Sequence, residues 1–278
     1  MQPKEEIDYL ARKGARKLTD IPSDVLELLQ TGALQSVNLT EWLAVDHLTL
    51  LHHVLLELGL EQETHAMIER LRCTKETKIM KIIPAIAVEW LGLFAQMPEQ
   101  DSSRIFHSLA SHLSDSVRCW AAYIIGLDQR LSLEERLATI RPFAADTHFG
   151  VREIAWMAVR EPIMRDLERA LALLAVWVMD PDANIRRFAV ESIRPIGVWA
   201  KHIQPLKENP ALALSLLERV KADPVKYVQD SVGNWLNDAS KTRPEWVVEV
   251  CNQWLDLSDT KETRRIVTKA KRSVEKMK

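Results

Sequence analysis

Glycine is scarce in this chain, with 8 residues in 278. Hairpin turns draw on glycine for backbone angles that other residues resist, so a sheet-rich fold with many short turns is disfavoured. Cysteine is scarcer still. Cys73, Cys119 and Cys251 lie far apart with no CxxC pair and no even count, which argues against a disulfide scaffold or a structural zinc site and fits a reducing compartment. No apolar run approaches the roughly 18 residues of a membrane span. Met1 leads directly into the charged stretch PKEEIDYLARK, so a secretory signal is not expected and the protein reads as cytoplasmic. A Gly-rich phosphate loop, a GxSxG elbow and a kinase signature are all missing, which disfavours nucleotide hydrolysis and serine-type catalysis. His47, His52 and His53 share one segment without a carboxylate at clean ligand spacing, so no metal is expected there.

What the chain has in quantity is apolar surface, at 47% of residues, and tryptophan, with nine against five phenylalanines and three tyrosines. Leu and Ala without Gly read as helix. The net charge of −2 hides an asymmetry: residues 181–278 carry 18 basic and 13 acidic side chains, and residues 1–180 carry 19 and 26. A chain acidic in front and basic behind can still offer a local positive surface to phosphates. The basic stretch 261–278 reads equally well as a solvated last helix.

Four segments align without gaps around a hydrophobic-plus-Arg pair: DSVRCWAAYIIG (115–126), FGVREIAWMAVR (149–160), DANIRRFAVESIRP (182–195) and VKYVQDSVGNWLND (225–238). Val117-Arg118, Val151-Arg152 and Ile185-Arg186 recur every 34 residues, Val228-Gln229 follows after 43, and Thr263-Arg264 after another 35. That is the period of helix-pair solenoids. Asp115, Asp180-Pro181 and Asp223-Pro224 supply caps or stops, and Ile185, Phe188, Ala189 and Ile193 form an apolar stripe at helical spacing. Amphipathic stretches at 131–144 and 170–179 provide the partner helices, and 39–59 and 76–92 read as less regular units. The expected fold is all-α: a right-handed-type solenoid of HEAT-like helix pairs forming a single domain over 1–278. Residues 1–110 form its less regular part, and a concave face awaits an extended ligand.

Aligned on the repeat, Glu191 falls at the position of Met157 before it and Asn234 after it, with Asp238 one turn beyond Asn234. Trp156, Trp199 and Trp235 flank that stripe. Each residue also has an ordinary structural explanation. Glu191 stands four residues after Arg187, Asp238 can pair with Lys241, Asn237 can start a turn, and Trp90 and Trp177 read as core.

The stretch RRFAVESIRPIGVW (186–199), followed by DPVKYVQDSVGNWLNDASKTRPEWV (223–247), resembles the AlkC/AlkD superfamily of HEAT-like alkylpurine DNA glycosylases, and most closely its AlkC branch. NLTEWLAVD (38–46) is similar to an early segment of that branch. The resemblance implies duplex DNA with alkylated bases as partner and hydrolysis of the N-glycosidic bond of a cationic N3- or N7-alkylpurine. It implies Glu191 and Asp238 as catalytic carboxylates, with Trp156, Trp199, Trp235, Asn234 and Asn237 lining the substrate. Arg186, Arg187, Arg194, Lys241 and Arg243 are implied phosphate contacts. No cofactor is implied, since a cationic base leaves with only water and charge to help it. At Trp156, in AWMAVREP (155–162), the branch typically shows a carboxylate, with Glu153 one turn away. The additional C-terminal domain of some relatives is not expected within 278 residues. Two other readings remain open: an inactive relative that binds damaged or branched DNA, and a scaffold for a protein partner.

Overall fold

The structure, a computed structural model, describes residues 9, 11–76, 78–197 and 199–275. Every regular element among them is helical. In chain order they are α1 (Ser23–Thr31), α2 (Leu39–Ala44), α3 (His47–Glu57), α4 (Glu61–Cys73), α5 (Ile79–Phe94), α6 (Glu99–Ala110), α7 (Asp115–Leu127), α8 (Leu133–Ala144) and α9 (Phe149–Ala158). There follow α10 (Arg160–Arg165), α11 (Leu167–Trp177), α12 (Ala183–Glu191), α13 (Gln204–Glu208), α14 (Leu214–Glu218), α15 (Lys226–Ala239), α16 (Pro244–Leu257), α17 (Lys261–Ala270) and α18 (Arg272–Glu275). No described helix is long and apolar enough to cross a membrane.

Where the sequence reads as one array, packing groups the residues into two compact units. One is drawn from residues up to Asp128 together with His148–Ile154, the other from Gln129–Thr147 and from Ala155 onward, so the division falls inside α9. In the first unit α5 packs on α7, α3 on α4 and α1 on α3; in the second α12 packs on α15, and α15 on α17. Trp42, Trp90, Trp120, Trp156, Trp235 and Trp254 are buried whole, and truncating such a side chain costs roughly 3–5 kcal/mol. Trp177 departs from the core expectation. It is half-buried, with the Arg141 guanidinium 5.3 Å from its ring centre.

Local chemistry sets the helix starts. Ser132 and Glu135 close a reciprocal capping box on α8, Asp46 accepts from the Leu48 and Thr49 amides, and Asp182 accepts from the Asn184 amide at α12. Asp180 and Asp223 make the same kind of turn, accepting from the amides of Asp182 and Val225. Asp115 is the exception: its carboxylate leaves its own helix and accepts from the Ser36 amide at 2.8 Å and the Ser36 hydroxyl at 2.9 Å.

The recurring pair also acquires a physical meaning. Its apolar member, Val117, Val151, Ile185 or Val228, is buried. In three of these pairs the polar member, Arg118, Arg186 or Gln229, reaches back along the chain to the turn that opens the helix. Arg118 Nη1 donates to the carbonyls of His112 and Leu113, Arg186 Nη1 to those of Asp180 and Pro181, and Gln229 Nε2 to that of Asp223. Carbonyls in a tight turn have no helical partner, and leaving one unpaired costs about 1–3 kcal/mol. The repeat signature is therefore a turn clasp.

Candidate functional site

Glu191 ends α12, and Asp238 lies one residue before the end of α15. Because α12 packs on α15, the two carboxylates meet on one guanidinium. Arg194 Nε and Nη2 donate to Asp238 Oδ2 at 2.9 and 2.6 Å, and its Nη1 donates to Glu191 Oε2 at 3.1 Å. Ser231 Oγ donates to Glu191 Oε1 at 2.5 Å, with Arg187 Nη2 3.7 Å from the same oxygen. Lys241 Nζ donates to Asp238 Oδ1 at 2.9 Å. Arg187 is held in turn against the Tyr227 ring, 4.3 Å from its centre. Three cations thus surround two carboxylates, and each of the four carboxylate oxygens has a partner.

Both acids are buried, at 3% exposure each. Burial alone works against the charge on Arg194, but Glu191 and Asp238 outweigh it and hold that guanidinium's pKa above its usual value. Arg160, also buried, shows the opposite balance. Desolvation and the neighbouring Arg194 charge lower its pKa to about 10. Its bonded partners are neutral carbonyls: it donates to those of Ser192, Arg194 and Lys201 at 3.0, 2.6 and 2.7 Å.

The indoles fall into two groups. Trp156 is 2% exposed and Trp235 fully buried, its Nε1 donating to the Ile193 carbonyl at 3.0 Å. Neither lines an open surface in this structure, because each is buried. Trp199 does face solvent, at 59% exposure, and its φ of 57° lies in the left-handed region that a bulky residue rarely adopts. Asn237 is buried, accepting from the Ser273 amide, and half-buried Asn234 accepts from Arg272. Met157 is half-buried on α9, and Glu153 belongs to the first unit.

Three of the five basic residues implied as phosphate contacts are paired within the protein. Arg186 clasps its own turn and forms a forked pair with Asp223 at 2.6 and 3.1 Å. Arg187 and Arg194 are spent inside the carboxylate cluster. An arginine whose donors are already committed to buried acceptors has little to offer a phosphate. Lys241 and Arg243 are exposed.

The first unit holds a set that sequence reasoning missed. Ser36, His148 and Asp115 have the composition of a hydrolytic triad and are all buried. Their hydrogen bonds are structural. The Gly150 amide donates to His148 Nδ1 at 3.2 Å, His148 Nε2 lies 2.8 Å from the Ser36 carbonyl and 3.2 Å from its hydroxyl, and that hydroxyl donates to Asp115 at 2.9 Å. No spacing in the sequence could have signalled the set, since its members are 79 and 112 residues from Ser36.

Comparison with known proteins places this geometry. Residues 151–270, which include the whole carboxylate cluster, match the family described as DNA alkylation repair enzyme. A curated relative from Bacillus subtilis (strain 168), "Uncharacterized protein YhaZ", is 36% identical over 121 residues, which is 44% of this chain and 32% of the relative. The matched region thus spans about a third of that relative's length. Among solved structures, Pseudomonas fluorescens alkylpurine DNA glycosylase AlkC, bound to DNA containing an abasic site analog, superposes with a TM-score of 0.66 at 22% identity. That match covers 82% of this chain and 62% of AlkC. AlkD2 from Streptococcus mutans gives 0.55 at 24% identity, over 67% of this chain and 87% of its own. The smu.31 protein from Streptococcus mutans UA159 gives 0.57 at 22%, over 75% and 97%. The chain thus shares the all-helical, HEAT-like fold of these solved structures, and its segment 151–270 is similar in sequence to the DNA alkylation repair family.

Proposed function

We propose that this protein binds duplex DNA carrying alkylated bases and hydrolyses the N-glycosidic bond of cationic N3- or N7-alkylpurines. The observation that supports the reading is the meeting of Glu191 and Asp238, from different helices, on the single guanidinium of Arg194 within the segment that matches the alkylation-repair family. A cationic purine is already a good leaving group, so the protein's task is electrostatic. Two carboxylates held in fixed orientation stabilise the developing oxocarbenium sugar and position water, and their preorganisation spares reorganisation as the charge appears. Arg194 supplies that rigidity. Trp199 offers an exposed indole to the deoxyribose or the cationic base, and Arg243 keeps the exposure that a phosphate contact needs. On this reading the protein works in the cytoplasm, on nucleoid DNA.

The test is single-turnover release of N3-methyladenine and N7-methylguanine from methylated duplex. Asp238→Asn is expected to lower the rate by roughly 10²–10³, the usual effect of deleting one charge-stabilising group. An unchanged rate would remove Asp238 from the mechanism. A second reading, damaged-DNA binding without chemistry, is favoured by one observation: every oxygen of both carboxylates already has an internal partner. Steeply salt-dependent duplex binding with no base released by the unmodified protein would establish it.

A further inference from the structure

Among the partners of the two carboxylates, one differs from the rest. Arg194 is 12% exposed and joins both acids, and Arg187 is 10% exposed and stacked on Tyr227. The Ser231 hydroxyl is buried. Lys241 is 44% exposed, sits just beyond the C-terminal end of α15, and takes the Asp238 oxygen that Arg194 leaves alone. An ammonium is a strongly hydrated point charge on a flexible stem, whereas a forked guanidinium is fixed by its plane. Lys241 is the partner that can leave without dismantling the cluster.

We propose that Lys241 is an exchangeable counter-ion that holds the place of a cationic base at Asp238 and competes with it for that carboxylate. The proposal rests on the repair function above. A cationic alkylpurine that displaces the ammonium replaces one positive charge at Asp238 with another, so Asp238 keeps its neutralising partner. A neutral purine has no charge to offer Asp238 and leaves the ammonium in place, since displacing it would leave a buried carboxylate short of a cation. Only the cationic base therefore competes with Lys241. On this view Lys241 is not a phosphate contact.

The two roles make different demands on binding. The probes are one duplex with a single N7-methylguanine, its glycosidic bond protected by a 2′-fluorine, and the same duplex with guanine. Wild type is expected to prefer the methylated duplex. With the competing ammonium removed, Lys241→Met is expected to raise that preference by about fivefold, the worth of a half-exposed ion pair. The dependence of guanine-duplex binding on salt stays as in wild type, and Lys241→Arg returns the preference to the wild-type value. Equal weakening on both duplexes, with the salt slope reduced by about one, would make Lys241 a phosphate contact and overturn the proposal. A preference that is unchanged or lowered overturns it as well. If wild type binds both duplexes equally, the repair reading itself falls and takes the proposal with it, which separates the two failures.

Discussion

Replacing Arg194 with methionine keeps the apolar stem of the side chain and deletes the guanidinium that joins α12 to α15. Three hydrogen bonds go with it, two to Asp238 and one to Glu191. Both acids stay buried at 3% exposure, Asp238 with Lys241 alone and Glu191 with Ser231 and the more distant Arg187. Removing one member of a buried ion pair costs about 3–5 kcal/mol, because the charge left behind is neither solvated nor paired. The surviving partners reduce that to roughly 2–4 kcal/mol. Asp238→Asn strands less, since Arg194 retains Glu191, and is expected to cost about 1–2 kcal/mol. In the double variant no full charge is stranded at position 238, so the losses fall short of additive by about 2 kcal/mol. Urea unfolding of the four proteins gives the cycle, and hydrogen exchange at the amides of α12 and α15 localises the change. A loss below about 1 kcal/mol for Arg194→Met, or strictly additive losses, would show that the cluster behaves as an exposed ion pair and refute its role as a rigid holder of the two acids.

Two further outcomes follow from the packing. His47 is buried and its Nδ1 accepts from Trp120 Nε1 at 3.0 Å, so a second proton would land where a donor already points, and burial lowers its pKa from 6.5 to about 4. The unfolded chain therefore takes up that proton first. Stability from this residue is complete above about pH 6.5 and is lost as the pH falls toward 4, by roughly 2–3 kcal/mol at pH 4.5. Unfolding midpoints at pH 7.5 and 4.5 should show this loss in wild type and not in His47→Gln; equal losses in both would clear His47. Gly233 lets α17 approach α15, because a Cβ there would lie 2.8 Å from Lys269 Cβ. Gly233→Ala is expected to destabilise by about 1–2 kcal/mol despite the better helix propensity of alanine, read as a lowered melting temperature. A raised one would mean that the helices have room to spare.

The period of the Val-Arg pair reveals the helix pairs because burial repeats: Val117, Val151, Ile185 and Val228 each fill the same kind of interior position. What the arginine does is written less plainly. Arg118 and Arg186 clasp turn carbonyls six and five residues back, and nothing in an Arg codon distinguishes a clasp from a phosphate contact. The distinguishing signal is the substitution of Gln229 at the same place. A glutamine can donate to the Asp223 carbonyl but cannot neutralise a phosphate, so a position that accepts either Arg or Gln is performing hydrogen bonding.

The candidate site shows the same division between pattern and partner. Glu191 and Asp238 stand out at the residue level because acids are rarely placed on the inner stripe of a repeat, and their pairing with Arg187 and Lys241 follows from helical spacing. Arg194 could not be assigned that way. Its link to Asp238 crosses 44 residues and exists only because α12 and α15 are packed neighbours. The tryptophans fail as markers for a related reason. An indole beside an acid in sequence is as well suited to filling a helix interface as to touching a base, and here Trp156 and Trp235 do the first while Trp199 alone faces solvent. Trp156 is informative on another count. At the position where the resemblance led us to expect an acid, it fills space beside Arg160, whose guanidinium lies 5.7 Å from its ring centre. An acid at that place would compete for Arg160 with the three carbonyls, of Ser192, Arg194 and Lys201, on either side of Trp199. The indole leaves Arg160 to the loop, and the charges that act on that guanidinium are those of Arg194, Glu191 and Asp238.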